Sequence, residues 1–185
     1  MSRLPQATRE SIKEDLRETF DDVSSGPGGT GATGPMAVLK HSPELLRRAT
    51  PLFNYLRNES SLPWHVRELA MIVTARLTDC QYIWNAHIAL GRQSGLNDNL
   101  IDSLRDKKPL PQLSPEESAV VNCGTEFFTT RRISQETFDS VLGAFGPQGL
   151  VELTSLMGYY AMLAFNANAV DLRLPEETEE PPLPL

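Results

Sequence analysis

At 185 residues, the chain is long enough to bury a hydrophobic core without disulfides or a metal ion, and its length suits a single domain. The 17 lysines and arginines and 24 aspartates and glutamates give a net charge of -7, with no basic cluster that could bind the phosphates of a nucleic acid. The N-terminal stretch is charged, unlike an export signal, and no apolar run reaches the roughly 20 residues that cross a bilayer, so we expect a cytoplasmic protein with no membrane partner.

The first predicted element is an amphipathic helix from Arg9 to Val23. Its apolar side chains follow helical spacing and share one face, and charged residues occupy the rest of the surface. The apolar set is Ile12, Leu16, Phe20 and Val23. This face needs a partner surface to cover it.

A Gly-rich stretch, SSGPGGTGATGP, follows the first helix and contains a G-x-G-x-x-G spacing at Gly29, Gly31 and Gly34. A dinucleotide fingerprint requires a buried strand before it and a helix start after it. Here a charged helix precedes the glycines and Pro35 follows them, so we interpret the stretch as a loop rather than a nucleotide site.

Two later segments carry helix-start signals. HSPELLRRATPLFNYL offers Ser42 as a cap and Pro43 as the first helical residue. SPEESAVVNCGTEFF adds a capping box from Ser114 to Glu117. Further helices are predicted over 63–77, 80–94, 97–106, 135–145 and 147–170, with stops at Gly95 and Gly146.

No run alternates with period two, so the predicted fold is all-α, a single-domain bundle of about seven or eight helices. Residues 1–33 hold the amphipathic helix and the Gly-rich loop, and residues 34–174 hold the bundle. Residues 175–185 form an acidic, Pro-rich tail that cannot build a core of its own.

The stretch TDCQYIWNAH places a cysteine and a histidine on one predicted helix. The capping-box spacing of Thr78 and Gln81 predicts a helix start at Asp79. Cys80 would then lie in the first turn, where unpaired backbone N–H groups favour a thiolate. His87 follows two turns later, about 10 Å away along the axis, which is too far for a direct pair.

Glu68 is the candidate third group, because it opens the otherwise apolar helix RELAMIVTARL and could pass protons to a histidine. Ile83 lies between Cys80 and His87 on the same helix face. A lone cysteine and a lone histidine on an apolar helix are also common core groups. Both interpretations, reaction site and core packing, stay open at the level of the residues.

The other cysteine and histidines indicate neither a disulfide nor a metal centre. Both Cys80 and Cys123 should stay reduced in the cytosol, and the apolar surroundings of Cys123 indicate core packing. His65 is predicted at a helix start on the surface. The three histidines lack the close pairing of metal ligands, so we predict no metal.

Glu68, Cys80, Ile83 and His87 fall on the motif Glu-x11-Cys-x2-Cys-x3-His, and the chain therefore resembles the carboxymuconolactone decarboxylase superfamily, which includes alkylhydroperoxidase D. GPMAVLKHSPELL, IALGRQSGL and LMGYYAMLAFNAN extend the likeness over residues 34–174. The resemblance implies an all-helical subunit that assembles into trimers or hexamers and uses no metal or organic cofactor. It also implies that His41 faces the same pocket, although a local capping role is an equal alternative.

The chain departs from this pattern at Ile83. Peroxidase members have their second cysteine at that position, and many decarboxylase-like members have a glutamate, as in YEWYAH where this chain reads YIWNAH. The usual two-cysteine cycle is therefore excluded, and the usual assignment of acid and base no longer applies directly.

The first functional hypothesis is cofactor-free acid–base catalysis on a small organic acid, such as decarboxylation of a β-keto acid or carboxy-lactone, or isomerisation through an enolate. His87 would supply a proton, Glu68 would orient it, and Cys80 would be a donor or a polar wall. The expected pocket residues are Tyr82, Ile83, Trp84, His41, Tyr159, Tyr160 and Asn168, the last as a donor to a carbonyl or enolate oxygen. Adjacent helix residues cannot both point the same way, so at least one of Tyr159 and Tyr160 should be packing.

Two alternatives remain. In the second hypothesis Cys80 reacts with peroxide to a sulfenic acid that an outside thiol reduces. In the third, the protein binds a ligand on the same fold without catalysis, which the apolar Ile83 in a polar constellation favours.

Overall fold

A computed structural model describes residues 2–25, 34–175, 178 and 180–185. Over these residues the chain contains α-helices and shorter helical turns but no strand, which confirms the predicted all-α class. The eight helices are α1 Arg17–Ser25, α2 Pro35–Val38, α3 Pro43–Asn54, α4 Trp64–Leu77, α5 Gln81–Gln93, α6 Asp98–Asp106, α7 Pro115–Thr130 and α8 Gln135–Ala169. A π-helical turn, Tyr55–Glu59, continues from the end of α3.

Several predicted helix boundaries are confirmed. In α7 the Glu117 N–H donates to the Ser114 hydroxyl at 3.1 Å, and the Ser114 N–H donates back to the Glu117 carboxylate at 2.7 Å. Pro43 is the first residue of α3. Gly146 has a φ of 67° and breaks α8 into two arms, 135–145 and 147–169, as the two predicted helices require.

The predicted helix over 9–23 is wrong in its first half. Thr8 and Ser11 form a capping box around a single 3-10 turn, and the backbone is extended at Ile12, so α1 begins only at Arg17. Local caps therefore set the backbone here. The apolar pattern still predicted burial, since one small cluster contains Ala7, Ile12, Leu16 and Phe20.

The Gly-rich stretch lies largely outside the described residues, which include neither Gly29 nor Gly31. Gly34 is described, and its φ of 101° lies in the region that favours glycine. An added Cβ at Gly34 would also approach the Tyr82 ring at 3.3 Å.

The centre of the molecule is α4, which is buried along most of its length and packs against α5, α7 and α8. Its buried residues include apolar side chains on every face, so it is a core helix rather than an amphipathic one. The buried polar side chain Glu68 on this helix therefore lies inside the bundle. None of the described helices is long and apolar enough to cross a membrane.

The C-terminal residues 180–185 lie along α5. The tail has no core of its own, but Leu183 is buried in the main hydrophobic core. Residues 180–185 are thus packed against the bundle and contribute Leu183 to its core.

Candidate active site

Glu68 and His87 form a buried hydrogen-bonded pair between α4 and α5. The Glu68 Oε2 atom lies 2.8 Å from the Nδ1 atom of His87. Their residues are only 3% and 4% exposed. A short connection, residues 78–80, joins the two helices, so they run side by side and bring residues 19 positions apart into contact.

Aromatic side chains surround this pair. The Trp64 Nε1–H donates to Glu68 Oε1 at 3.2 Å from one turn earlier on α4. The Tyr160 ring meets the His87 ring edge-on, with centroids 5.2 Å apart. Phe53 stacks on Tyr160 at 6.4 Å, and the Arg57 guanidinium lies 5.6 Å from the Phe53 centroid.

Tyr159 and Tyr160 are both buried but contact different groups. The Tyr159 hydroxyl donates to the backbone carbonyl of Ala49 at 3.2 Å, which is a packing role. Burial raises the pKa of Tyr159 to about 12. Burial also raises the pKa of Tyr160, the tyrosine that faces His87. Tyr159 therefore has the packing role that we expected for at least one of the two tyrosines.

Cys80 does not lie in the first turn of a helix that begins at Asp79. It is itself the N-cap of α5, which begins at Gln81. The Thr78 hydroxyl caps the end of α4 by donating to the Thr74 carbonyl at 2.7 Å, so the predicted capping box is wrong. Spacing alone could not tell the end of one helix from the start of the next.

The thiol of Cys80 is buried rather than activated. Burial raises its pKa, and the backbone N–H groups of Ile83 and Tyr82 lower it by less, so the net pKa lies above the usual value for cysteine. The expected bias toward thiolate is therefore reversed by desolvation. Burial likewise raises the pKa of Cys123, to about 11.

Cys80 lines a cavity of about 210 Å³ together with Tyr82 and Asn168. The Asn168 amide donates to the backbone carbonyl of Thr78 at 2.8 Å, so in this structure its N–H is engaged in a structural bond. Tyr82 also lines a neighbouring cavity of about 180 Å³ with His41. His41 Nε2 lies 2.9 Å from the carbonyl oxygen of Pro5.

The structure therefore divides the predicted site residues into three groups. One is the Glu68–His87 pair with Tyr160. The second lines the two cavities at the start of α5 and consists of Cys80, Tyr82, His41 and Asn168. The third, Ile83, Trp84 and Tyr159, is buried in the main hydrophobic core.

A second buried carboxylate, Glu152 on α8, did not enter the sequence hypotheses. It accepts hydrogen bonds from the Tyr55 hydroxyl, the Ser61 N–H and hydroxyl, and the Gln148 amide. Burial alone would raise its pKa, but these donors together outweigh burial and lower the pKa to about 2. The available signal was a single charge within the apolar run LVELTSLMGYY.

The sequence profile of the carboxymuconolactone decarboxylase family matches residues 43–125, which include Glu68, Cys80, Ile83 and His87. No curated protein matches the chain in sequence. Similar folds occur among solved structures, and the three described next are 13–18% identical to this chain.

Three of these structures illustrate the likeness. A peroxidase-related protein from Silicibacter has a TM-score of 0.68 at 18% identity, covering 96% of this chain and 93% of its own. The alkylhydroperoxidase core of a peroxidase-related protein from Ralstonia eutropha has a TM-score of 0.67 at 16% identity, covering 95% and 93%. The debrominase Bmp8 in complex with 2,3,4-tribromopyrrole has a TM-score of 0.69 at 13% identity, covering 95% of each chain.

These likenesses show the fold, and the profile match covers the motif itself. Residues 43–125 match the carboxymuconolactone decarboxylase family, and the fold as a whole is similar to alkylhydroperoxidase D-like structures.

Proposed function

We propose that this protein is a cofactor-independent acid–base catalyst, a lyase or isomerase for a small keto acid, lactone or polyketide-like molecule. The observation that carries this proposal is the buried hydrogen bond between Glu68 and His87. A carboxylate that accepts the Nδ1–H fixes the tautomer of the ring and leaves Nε2 as the working nitrogen. This is the arrangement that a histidine acid or base requires.

In the proposed reaction a β-keto acid loses CO2, and the electron pair of the broken C–C bond moves into the carbonyl to form an enolate. Protonated His87 then delivers the Nε2 proton to the enolate carbon. Glu68 stabilises the imidazolium before this transfer. Isomerisation would use the same pair in both directions, with neutral His87 first removing a proton from carbon.

Substrate access to the pair is proposed from the side of Trp64. This residue is 45% exposed, yet its indole N–H reaches Glu68 inside the bundle. Arg57 is also partly exposed and stacks on Phe53, which in turn contacts Tyr160. A cation at the outer edge and aromatic rings farther in suit an anionic substrate with an apolar body.

The thiol-redox alternative is less well supported. A peroxide-reacting cysteine needs an accessible thiolate, whereas the Cys80 thiol is buried and its pKa is raised. Two similar structures are named as peroxidase-related, so a hydroperoxide is included among the candidate substrates to be assayed. The non-catalytic binding alternative also remains open, because Ile83 occupies the motif position where the resembled family has a cysteine or a glutamate.

The debrominase complex suggests a further substrate class. That protein holds a brominated pyrrole on the same fold. A flat heteroaromatic ring would suit the aromatic surroundings of His87 in this chain. Halogenated pyrroles therefore belong in the substrate panel.

We also propose a homo-oligomer, as the family resemblance implies. Large apolar side chains are exposed along the second arm of α8, including Val151 and Phe165. Exposed apolar surface of this kind favours association. Sedimentation of the wild type and of Phe165→Glu would test it, with a smaller species expected for the variant and an unchanged species contradicting this interface.

The function is tested with a panel of β-keto acids, carboxy-lactones and halogenated pyrroles, together with a hydroperoxide plus a thiol reductant. We expect turnover of an acid or lactone that falls by about a hundredfold or more in His87→Ala, because general acid–base catalysis contributes at least that much. Glu68→Gln should show a smaller loss, since a glutamine still accepts the Nδ1–H bond but carries no charge. Substrate loss and product formation are followed by NMR.

The matched control is His65→Ala, since the His65 side chain is bonded to Glu116 and not to Glu68 or His87. Cys80→Ser should retain acid or lactone turnover. Hydroperoxide turnover that disappears in Cys80→Ser would instead establish the redox alternative. Saturable ligand binding without turnover in any variant would establish the binding alternative.

A further inference from the structure

The tail is attached to one face of α5 by several polar contacts. Gln81 makes two of them, because its amide N–H donates to the Leu183 carbonyl at 2.7 Å and its carbonyl accepts the Leu183 N–H at 2.8 Å. The Asn85 amide donates to the Glu180 carbonyl at 3.0 Å, and Arg92 pairs with the Glu180 carboxylate. Residues 81, 85 and 92 share one helix face, so the tail runs along that face.

Prolines suit the tail to this role. Pro181, Pro182 and Pro184 have no N–H group and restrict the backbone to extended forms, which lowers the entropy lost on docking. Between Pro181 and Pro184, Leu183 alone has a backbone N–H, and Gln81 accepts it. The Leu183 side chain is 3% exposed and lies in the main core.

The docked tail borders the cavity beside Cys80. That cavity is lined by Asp79, Cys80, Gln81 and Leu185 on this side, and by Asn168 from α8 on the other. Gln81 therefore both binds the tail and forms part of the cavity wall. Cys80 has no measurable exposure in this state.

We propose that residues 180–185 form a strap that walls one side of the cavity beside Cys80 and limits the access of thiol-reactive molecules to that cysteine. When the strap leaves α5, the cavity loses the Leu185 wall and the core loses Leu183, so the route to Cys80 opens. The strap is thus a built-in control on Cys80 chemistry, and it does not depend on the acid–base function of His87.

The test is the rate of Cys80 alkylation by iodoacetamide in the full-length, native protein at one fixed pH. Labelling is quantified separately at Cys80 and Cys123 by peptide mass spectrometry. Gln81→Ala removes both backbone contacts to Leu183, and we expect Cys80 to react about tenfold faster. Cys123 lies on α7 beside a cavity lined by α7 and α8 residues and by none from the tail, so its rate should stay unchanged.

Two further variants complete the design. Leu183→Ser weakens the strap through its apolar anchor instead of its hydrogen bonds and should give the same selective acceleration. Gln93→Ala removes an exposed glutamine from the same helix and should leave both rates unchanged. A Cys80 rate within twofold of wild type in both strap variants would overturn the proposal, and so would equal acceleration at Cys80 and Cys123, which indicates general unfolding.

Discussion

Two buried carboxylates in this protein illustrate how neighbouring groups decide the role of a side chain. Glu152 accepts four hydrogen bonds from groups that do not titrate near neutral pH, so it stays ionised and holds the turn at Tyr55–Glu59 against α8. Glu68 instead contacts the imidazole of His87, a ring whose two nitrogens can donate or accept a proton. The first arrangement suits structure, and the second suits proton transfer.

At this scale we predict a pH-dependent contribution of Glu152 to stability. Because its pKa is about 2, below the usual value of 4.5, the carboxylate stabilises the fold above about pH 4.5 and loses this effect as pH falls toward 2. Glu152→Gln should lower the free energy of unfolding by about 1–3 kcal/mol at pH 7. Urea unfolding of both proteins at pH 7 and pH 3 measures the difference.

The deficit should shrink at pH 3, where the wild type has begun to lose the benefit of its charge. Exposed Glu136→Gln is the matched control and should change stability little at either pH. A deficit that is the same at both pH values would show that the charge of Glu152 contributes nothing.

At the scale of elements, the sequence predicted helices where caps and stops are local. The signals at Ser114, Pro43 and Gly146 each act within one turn. The structure confirms the helix boundary that each of them predicts. The start of α1 and the connection before α5 were predicted wrongly, because several backbone conformations satisfy the same local spacing. Packing against the core selects among them, and no short window of sequence contains that information.

The packing of α4 against α7 leads to a testable difference between two glycines. A Cβ at Gly124 on α7 would lie 2.6 Å from Val73 Cγ1, a short and buried side chain with little room to move. Gly124→Ala should therefore lower the free energy of unfolding by about 1–3 kcal/mol. Thermal or urea unfolding measures the change.

Gly158→Ala provides the matched control, because nothing lies within 4 Å of its added Cβ on α8. Alanine has the higher helix propensity, so this variant should gain up to about 1 kcal/mol. Equal effects of the two substitutions would contradict the close approach of α4 and α7 at Gly124.

At the scale of the whole molecule, the predicted site residues are divided between a buried pair and two cavities that distant segments of the chain help to line. The motif residues Glu68 and His87 could be predicted from sequence, and their contact required only that two adjacent helices pack together. The contacts of the two terminal segments with these cavities could not be predicted from sequence. Leu183 meets Gln81 across 102 positions and His41 meets Pro5 across 36, and such contacts depend on the complete fold.

The separation of Cys80 from His87 follows from their positions about two turns apart on α5. Ile83 and Trp84 lie between these two residues in the sequence of α5, and both are buried in the main hydrophobic core. We therefore assign the motif residues to two places: Glu68 and His87 as the proposed acid–base pair, and Cys80 as a buried thiol beside the proposed strap. The central claim is that proton transfer belongs to the first of these.

The most direct measurement is exchange of the α-hydrogens of a β-keto acid with D2O, followed by NMR with the uncatalysed rate subtracted. This exchange reports proton transfer at carbon even when no CO2 is lost. We predict that the protein accelerates exchange, that His87→Ala abolishes the acceleration, and that His65→Ala and Cys80→Ser retain it. Exchange that persists in His87→Ala, or that disappears in Cys80→Ser alone, would contradict the assignment of His87 and Glu68 as the acid–base pair.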